Sequence, residues 1–159
     1  MLEFWFRYVN RATSLIQSGN GDKYYETKVN GRLHEFMGKV FEKMAKEYLS
    51  LKAGSDGIPI LTDITDYQTA VLDGEGKQIP IEIDILGKSD NDIVLIGECK
   101  FRNEKFDKKE LDRFMEKVRP FSYNGPVLCL FSLSGFSDYV RENSNGLLLI
   151  DIDRMYKKA

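Results

Sequence analysis

The chain opens on an aromatic-rich stretch, Leu2 to Gln17, carrying Phe4, Trp5, Phe6 and Tyr8, which reads as helical. Ser18-Gly19-Asn20-Gly21-Asp22 then breaks the pattern with turn-forming residues. From Leu33 the apolar positions return at helical spacing: Leu33, Phe36, Met37, Val40, Phe41, Met44, Ala45, Tyr48 and Leu49. They predict one long amphipathic helix that ends before Gly54. His34 falls near this apolar stripe and reads as a packed helix residue. A strand is expected from Tyr67 to Leu72, a turn at Asp73-Gly74-Glu75-Gly76, and a second strand from Ile79 to Leu86, together a hairpin.

A polar turn, Gly87 to Asp92, leads to a third strand, Ile93 to Phe101. Asp107 reads as an N-cap with Glu110 as its capping-box partner, opening a helix. Leu111, Phe114, Met115 and Val118 mark that helix's buried face, and Pro120 stops it. Val127 to Leu133 is apolar enough for a sheet interior. A short helix, Phe136 to Glu142, and a strand, Gly146 to Ile152, complete the order. Helix, three strands, helix, strand, short helix, strand predicts an α/β domain with a mixed central sheet flanked by helices. Residues 1–30 are expected to pack on or link to a domain of residues 31–159.

Composition adds little to this except through charge. With 159 residues and 42% hydrophobic positions, the chain has the balance of a globular domain with a substantial core. No apolar run approaches the ~20 residues that cross a bilayer, and Met1-Leu2-Glu3-Phe4-Trp5 lacks the basic start of a signal peptide. The expectation is a cytoplasmic protein, with Cys99 and Cys129 as reduced core residues. The single histidine, His34, excludes sites built on two histidines. Net charge is −2, unlike a generic nucleic-acid binder, yet it is unevenly spread. Ten acidic residues face two lysines between Gly54 and Glu98, a balance of −8, whereas Lys100 to Arg119 holds eight basic and five acidic residues, a balance of +3. An acidic stretch beside a basic one suits a site that holds a cation and receives phosphates.

Ile79, Ile81, Ile83 and Ile85 alternate with other residues, so period two predicts one apolar face and puts Glu82 and Asp84 together on the other. In Gly97-Glu98-Cys99-Lys100 the same geometry sends Glu98 and Lys100 to one side and Cys99 to the opposite side. Carboxylates on adjacent mid-domain strands with a lysine alongside are costly as core and useful as a site. Asp84 and Glu98 offer hard oxygen ligands suited to Mg²⁺ or Mn²⁺. Lys100 is placed to orient water or to neutralise charge on a phosphate.

Asp84, thirteen intervening residues, then Glu98-Cys99-Lys100 resembles the D…ExK signature of the PD-(D/E)XK nuclease superfamily, with Ile83 where the name has proline. The resemblance implies a restriction-endonuclease-like core in which Asp84 and Glu98 bind divalent metal and Lys100 assists hydrolysis. Gly38-Lys39-Val40-Phe41-Glu42 resembles the G-x-x-F-E helix of restriction-like members, which implies that Glu42 joins the metal site; at the edge of the apolar stripe it can equally face water. Glu82, on the face of Asp84, is a candidate for contact with that site from behind its ligands; a solvated strand residue is the equal alternative. Together with Phe4-Trp5-Phe6-Arg7-Tyr8-Val9, these segments are most similar to the C-terminal nuclease-like domain of prokaryotic AAA-type ATPases of the archaeal-ATPase kind. No G-x-x-x-x-G-K-[ST] phosphate loop is present, and the apolar start suggests a piece of a longer ATPase.

The activity so implied is Mg²⁺-dependent hydrolysis of DNA phosphodiesters. Lys105, Lys108, Lys109 and Arg113 follow the motif and are candidate phosphate contacts; a solvated helix face is the other reading. DNA, the ATPase domain of the same parent chain and a second copy of the chain are the partners to consider, with no membrane. The rival function is a module for DNA binding or partner docking with little hydrolysis. A third reading makes Phe4, Trp5 and Phe6 an interaction surface.

Overall fold

Two compact units, Met1–Lys39 and Val40–Ala159, divide the chain in the computed structural model. Residues 2–72 and 76–157 are described, for Leu72 and residues 122–124 by their backbone alone. The expected hairpin turn at 73–76 therefore lies largely outside the described residues.

In the first unit, helical turns of α, π and 3-10 type follow one another from Leu2 to Val29. The break expected near Gly19 is a kink, with Gly19 at φ 81°, after which the helix resumes at Gly21. Phe4, Tyr8 and Phe36 form a ring cluster with centroids 5.1–5.9 Å apart. Trp5 and Phe6 remain exposed at 44% and 57%. His34, expected to be packed, is exposed, because its position falls just outside the stripe that buries Phe36. Helix α1, Asn30–Lys52, is longer than its apolar pattern at the N-terminal end.

In the second unit, strands β1 (Asp63–Leu72), β2 (Gln78–Ser89), β3 (Asp92–Lys100), β4 (Val127–Ser132) and β5 (Leu147–Asp151) form one sheet in the order β1-β2-β3-β4-β5. The first three pair antiparallel, and β3-β4 and β4-β5 pair parallel, so the sheet is mixed. Helices α2 (Lys108–Val118), α3 (Asp138–Asn143) and α4 (Ile152–Tyr156) complete the unit; α4 was not anticipated and is capped by the Asp151 side chain. The expected turn of residues 87–92 shrinks to Asp90 and Asn91, Asp90 taking φ 54°, so both strands run longer than the polar residues suggested. The capping box of α2 forms as expected, the Asp107 carboxylate accepting from the Glu110 N–H at 3.0 Å. Met115 does not join its buried face; it is 43% exposed.

The sheet is covered on both faces, which makes it an α/β layer structure. Ile81, Ile83, Leu86, Ile96 and Leu130 pack with Leu111, Phe114 and Val118 of α2 and Val140 of α3. Ile85, Leu95, Cys129, Phe131 and Ile150 pack with Phe41, Ala45, Tyr48 and Leu49 of α1. Ile83 and Ile85 thus lie in different clusters, which corrects the unbroken alternation read from the sequence. The cause is a slip in pairing with β1: Thr65 faces Leu86 and Tyr67 faces Ile83, so Asp66 alone spans Asp84 and Ile85. An extra residue in one strand of an antiparallel pair bends that strand and re-aims its side chains. Here the bulge falls on Asp84. Among the described residues, no helix is long and apolar enough to cross a membrane.

Candidate functional site

Close packing around Gly97 brings the strands of the site together. A Cβ on Gly97 would lie 2.7 Å from Cys129 Sγ and 3.2 Å from Ile85 Cβ, so glycine alone lets β3 settle between β2 and β4. The β2–β3 pairing ends at Ile85–Gly97, and one residue past it Asp84 and Glu98 are near enough for the charge of Glu98 to act on Asp84. At the bulge, Asp84 Oδ2 accepts the backbone N–H of Cys99 at 2.8 Å. The side chain is thereby aimed without a second ionisable group.

Glu98 is 6% exposed, a buried carboxylate that requires compensation. Two lysines supply it. Lys100 Nζ lies 3.3 Å from Oε1, and Lys117 Nζ donates to Oε2 at 2.5 Å. Asp84 is less well compensated. Burial, then the negative charge of Glu98, pushes its carboxyl up to about 6; the Cys99 N–H and Lys117 act against this, and Glu42 adds a smaller upward push. Burial and the nearby Glu98 charge both oppose its ionised form. A hard cation beside it would favour the ionised form, and Asp84 and Glu98 are the oxygen donors that could hold one.

Glu42, half-buried on α1 next to Phe41, belongs to this electrostatic group, since its charge raises both Asp84 and Cys99. Among the described residues, however, no three His, Cys, Asp or Glu side chains already converge as a metal cage. The site presents a pair of carboxylates, with Glu42 on the α1 side of the sheet. Both cysteines are free, and burial pushes both thiols up, which makes them inert core residues rather than nucleophiles.

Glu82 is exposed and accepts from Gln68 Nε2 across the strand pair at 3.3 Å, so it reads as a surface residue of the β1–β2 ribbon. Lys105, Lys108, Lys109 and Arg113 are all exposed. Lys108 Nζ stands over the Tyr139 ring at 5.2 Å. At 1.5 Å per helical residue, Lys108 and Lys117 are about 13 Å apart along α2, so the start of the basic run stands well away from Glu98.

Lys117 was missed in the sequence, where it counted only toward the basic balance. Its signal was its place three residues after Phe114 and one before Val118, at the border of the buried stripe, where a long side chain can bend toward the sheet.

A family described as "Archaea bacterial proteins of unknown function", DUF234, matches residues 5–113. No curated protein matches the chain. The crystal structure of a protein of unknown function, AF1548, is similar with a TM-score of 0.47 at 18% identity, over 79% of this chain and 60% of that one. The chain thus spans 60% of that protein's length.

Proposed function

We propose that the chain, which belongs to the DUF234 family of archaeal and bacterial proteins of unknown function, hydrolyses DNA phosphodiesters with Mg²⁺ or Mn²⁺ held by Asp84 and Glu98. One observation carries the reading: a half-buried Asp84 and a buried Glu98 on adjacent strands, Asp84 held up to about 6 by burial and by the charge of Glu98, with Lys100 3.3 Å from Glu98 Oε1. The PD-(D/E)XK resemblance supports it, because α1, β1–β3, α2 and β4 follow the superfamily's helix, three strands, helix, strand. On this reading the second unit is a restriction-endonuclease-like domain.

The metal, when bound, supplies an acidified water and offsets charge on the phosphate. The chain's own residues do the rest. The Cys99 N–H fixes the direction of the Asp84 carboxylate. Glu98 gives the second oxygen from β3, and Glu42 lies near enough to add its charge from α1. Lys100 keeps its ammonium beside Glu98, where it would meet the attacking water or the negative charge that grows on the phosphate in the transition state. Arg113 and the lysines at the start of α2 then offer contacts to the DNA backbone.

A second reading has its own support. With a lysine on each oxygen, Glu98 is paired without any metal, as in a purely structural ion cluster. The chain would then serve as a DNA-binding or docking module of a larger ATPase. Cleavage of plasmid and linear DNA with Mg²⁺ or Mn²⁺ separates the two, comparing the wild type with Lys100→Ala and Glu98→Gln. The nuclease reading expects metal-dependent cleavage that falls on the order of 10²-fold or more in Lys100→Ala. Undiminished cleavage by both variants would sink the site, and no cleavage by wild type would favour the docking module.

A further inference from the structure

Only one of the two lysines on Glu98 belongs to the D…ExK pattern. Lys100 lies on the same strand, two residues on. Lys117 reaches the carboxylate from the last turn of α2. Its ammonium sits against Glu98 Oε2, where a bound cation would sit. The other side of the residue faces open space: with Arg113 one turn earlier, Lys117 lines a groove of about 500 Å³ whose apolar wall includes Val71, Ile79 and Ile81. Its side chain is 25% exposed, so it has somewhere to go.

We propose that Lys117 is a built-in counter-cation, occupying the divalent ion's place against Glu98 until the metal displaces it toward the groove. The inference rests on reading Asp84 and Glu98 as metal carboxylates. A buried carboxylate without a cation is costly, so a metal-binding site needs a stand-in while it is empty. Lysine suits that task, since it carries a compact charge on a flexible four-carbon stem and can leave without moving the backbone. Oε2 of Glu98 cannot keep the Lys117 ammonium at 2.5 Å and also accept a metal, because two cations would share one oxygen. Lys100 need not leave, because it holds the other oxygen. Lys117 thus lowers metal affinity while it keeps the empty site intact, acting as a positioning residue.

The test is calorimetric titration of Mn²⁺ into the wild type, Lys117→Gln, Lys117→Met and Lys117→Arg, with circular dichroism to confirm folding. Removing the competing charge should tighten Mn²⁺ binding on the order of tenfold in both neutral variants, equivalent to about 1.4 kcal/mol. Lys117→Arg should bind no more tightly than the wild type. Equal or weaker binding by folded Lys117→Gln and Lys117→Met, beside a wild type that binds Mn²⁺, would overturn this inference and leave the metal site standing. Absence of binding in all four proteins would overturn the metal reading and this inference with it.

Discussion

Replacing Asp84 with asparagine removes a charge that the fold holds at a cost. The two side chains have nearly the same shape, and the amide oxygen can still accept the Cys99 N–H that Asp84 Oδ2 accepts at 2.8 Å. What changes is the electrostatics. In the unfolded chain the carboxyl ionises near 3.8, and in the folded protein near 6, chiefly because burial and then Glu98 oppose the charge. A folded-state value above the unfolded one means that the native state binds the proton more tightly. The stability this provides is complete below pH ~4 and is lost as pH rises through about 6. At pH 8 the ionised carboxylate costs the fold about 1–3 kcal/mol, at 1.36 kcal/mol for each pH unit between the two values.

Asp84→Asn should therefore be more stable than the wild type at pH 8 by about that amount, or roughly 3–8 °C in melting temperature for a chain of this size. The gain should shrink toward zero as the pH approaches 4. Mg²⁺ or Mn²⁺ should reverse the order at pH 8, stabilising the wild type by mass action and leaving Asp84→Asn unmoved. Urea denaturation at pH 4.5 and 8, with and without Mn²⁺, reads all of this. An Asp84→Asn protein that is less stable than the wild type at pH 8, or a gain that does not depend on pH, would refute the reasoning.

Two further outcomes follow from the same geometry. Gly97→Ala should destabilise the fold by about 1–3 kcal/mol, because its methyl would meet Cys129 Sγ at 2.7 Å in a packed sheet. Pairing it with Cys129→Ala should recover part of the loss in urea denaturation, and strict additivity would show that the two do not clash. Charge reversal at Lys105, Lys108 and Lys109 should weaken DNA binding regardless of sequence and flatten its salt dependence. An unchanged salt slope would reduce those lysines to solvated surface.

Much of this arrangement was legible in the chain. The first three strands, the capped helix after them and the apolar fourth strand all form where periodicity and capping residues indicate, although β1 begins at Asp63 rather than Tyr67. The side assigned to each residue of β2 did not follow. Ile79 to Ile85 alternate as though the strand were regular, but the sheet is covered on both faces, so an isoleucine is acceptable on either side of the bulge. The extra residue is visible only against the partner strand, where Asp66 alone spans Asp84 and Ile85. Lys117 was hidden for a related reason: nineteen positions separate it from Glu98, and only the packing of α2 on the sheet brings them together. For Glu82 the sequence leaves a role behind the ligands and a solvated strand position open, and its exposed pairing with Gln68 favours the second.

The account stands or falls on a metal ion between Asp84 and Glu98. A crystal structure of the protein grown with Mn²⁺, with anomalous data collected to identify the ion, tests this most directly. The predicted result is a peak bridged by oxygens of both carboxylates at the ~2.0–2.2 Å of a hard-cation shell, with Lys117 drawn off Glu98. Glu98 still clamped between Lys100 and Lys117, with no peak beside Asp84 at millimolar Mn²⁺, would contradict it.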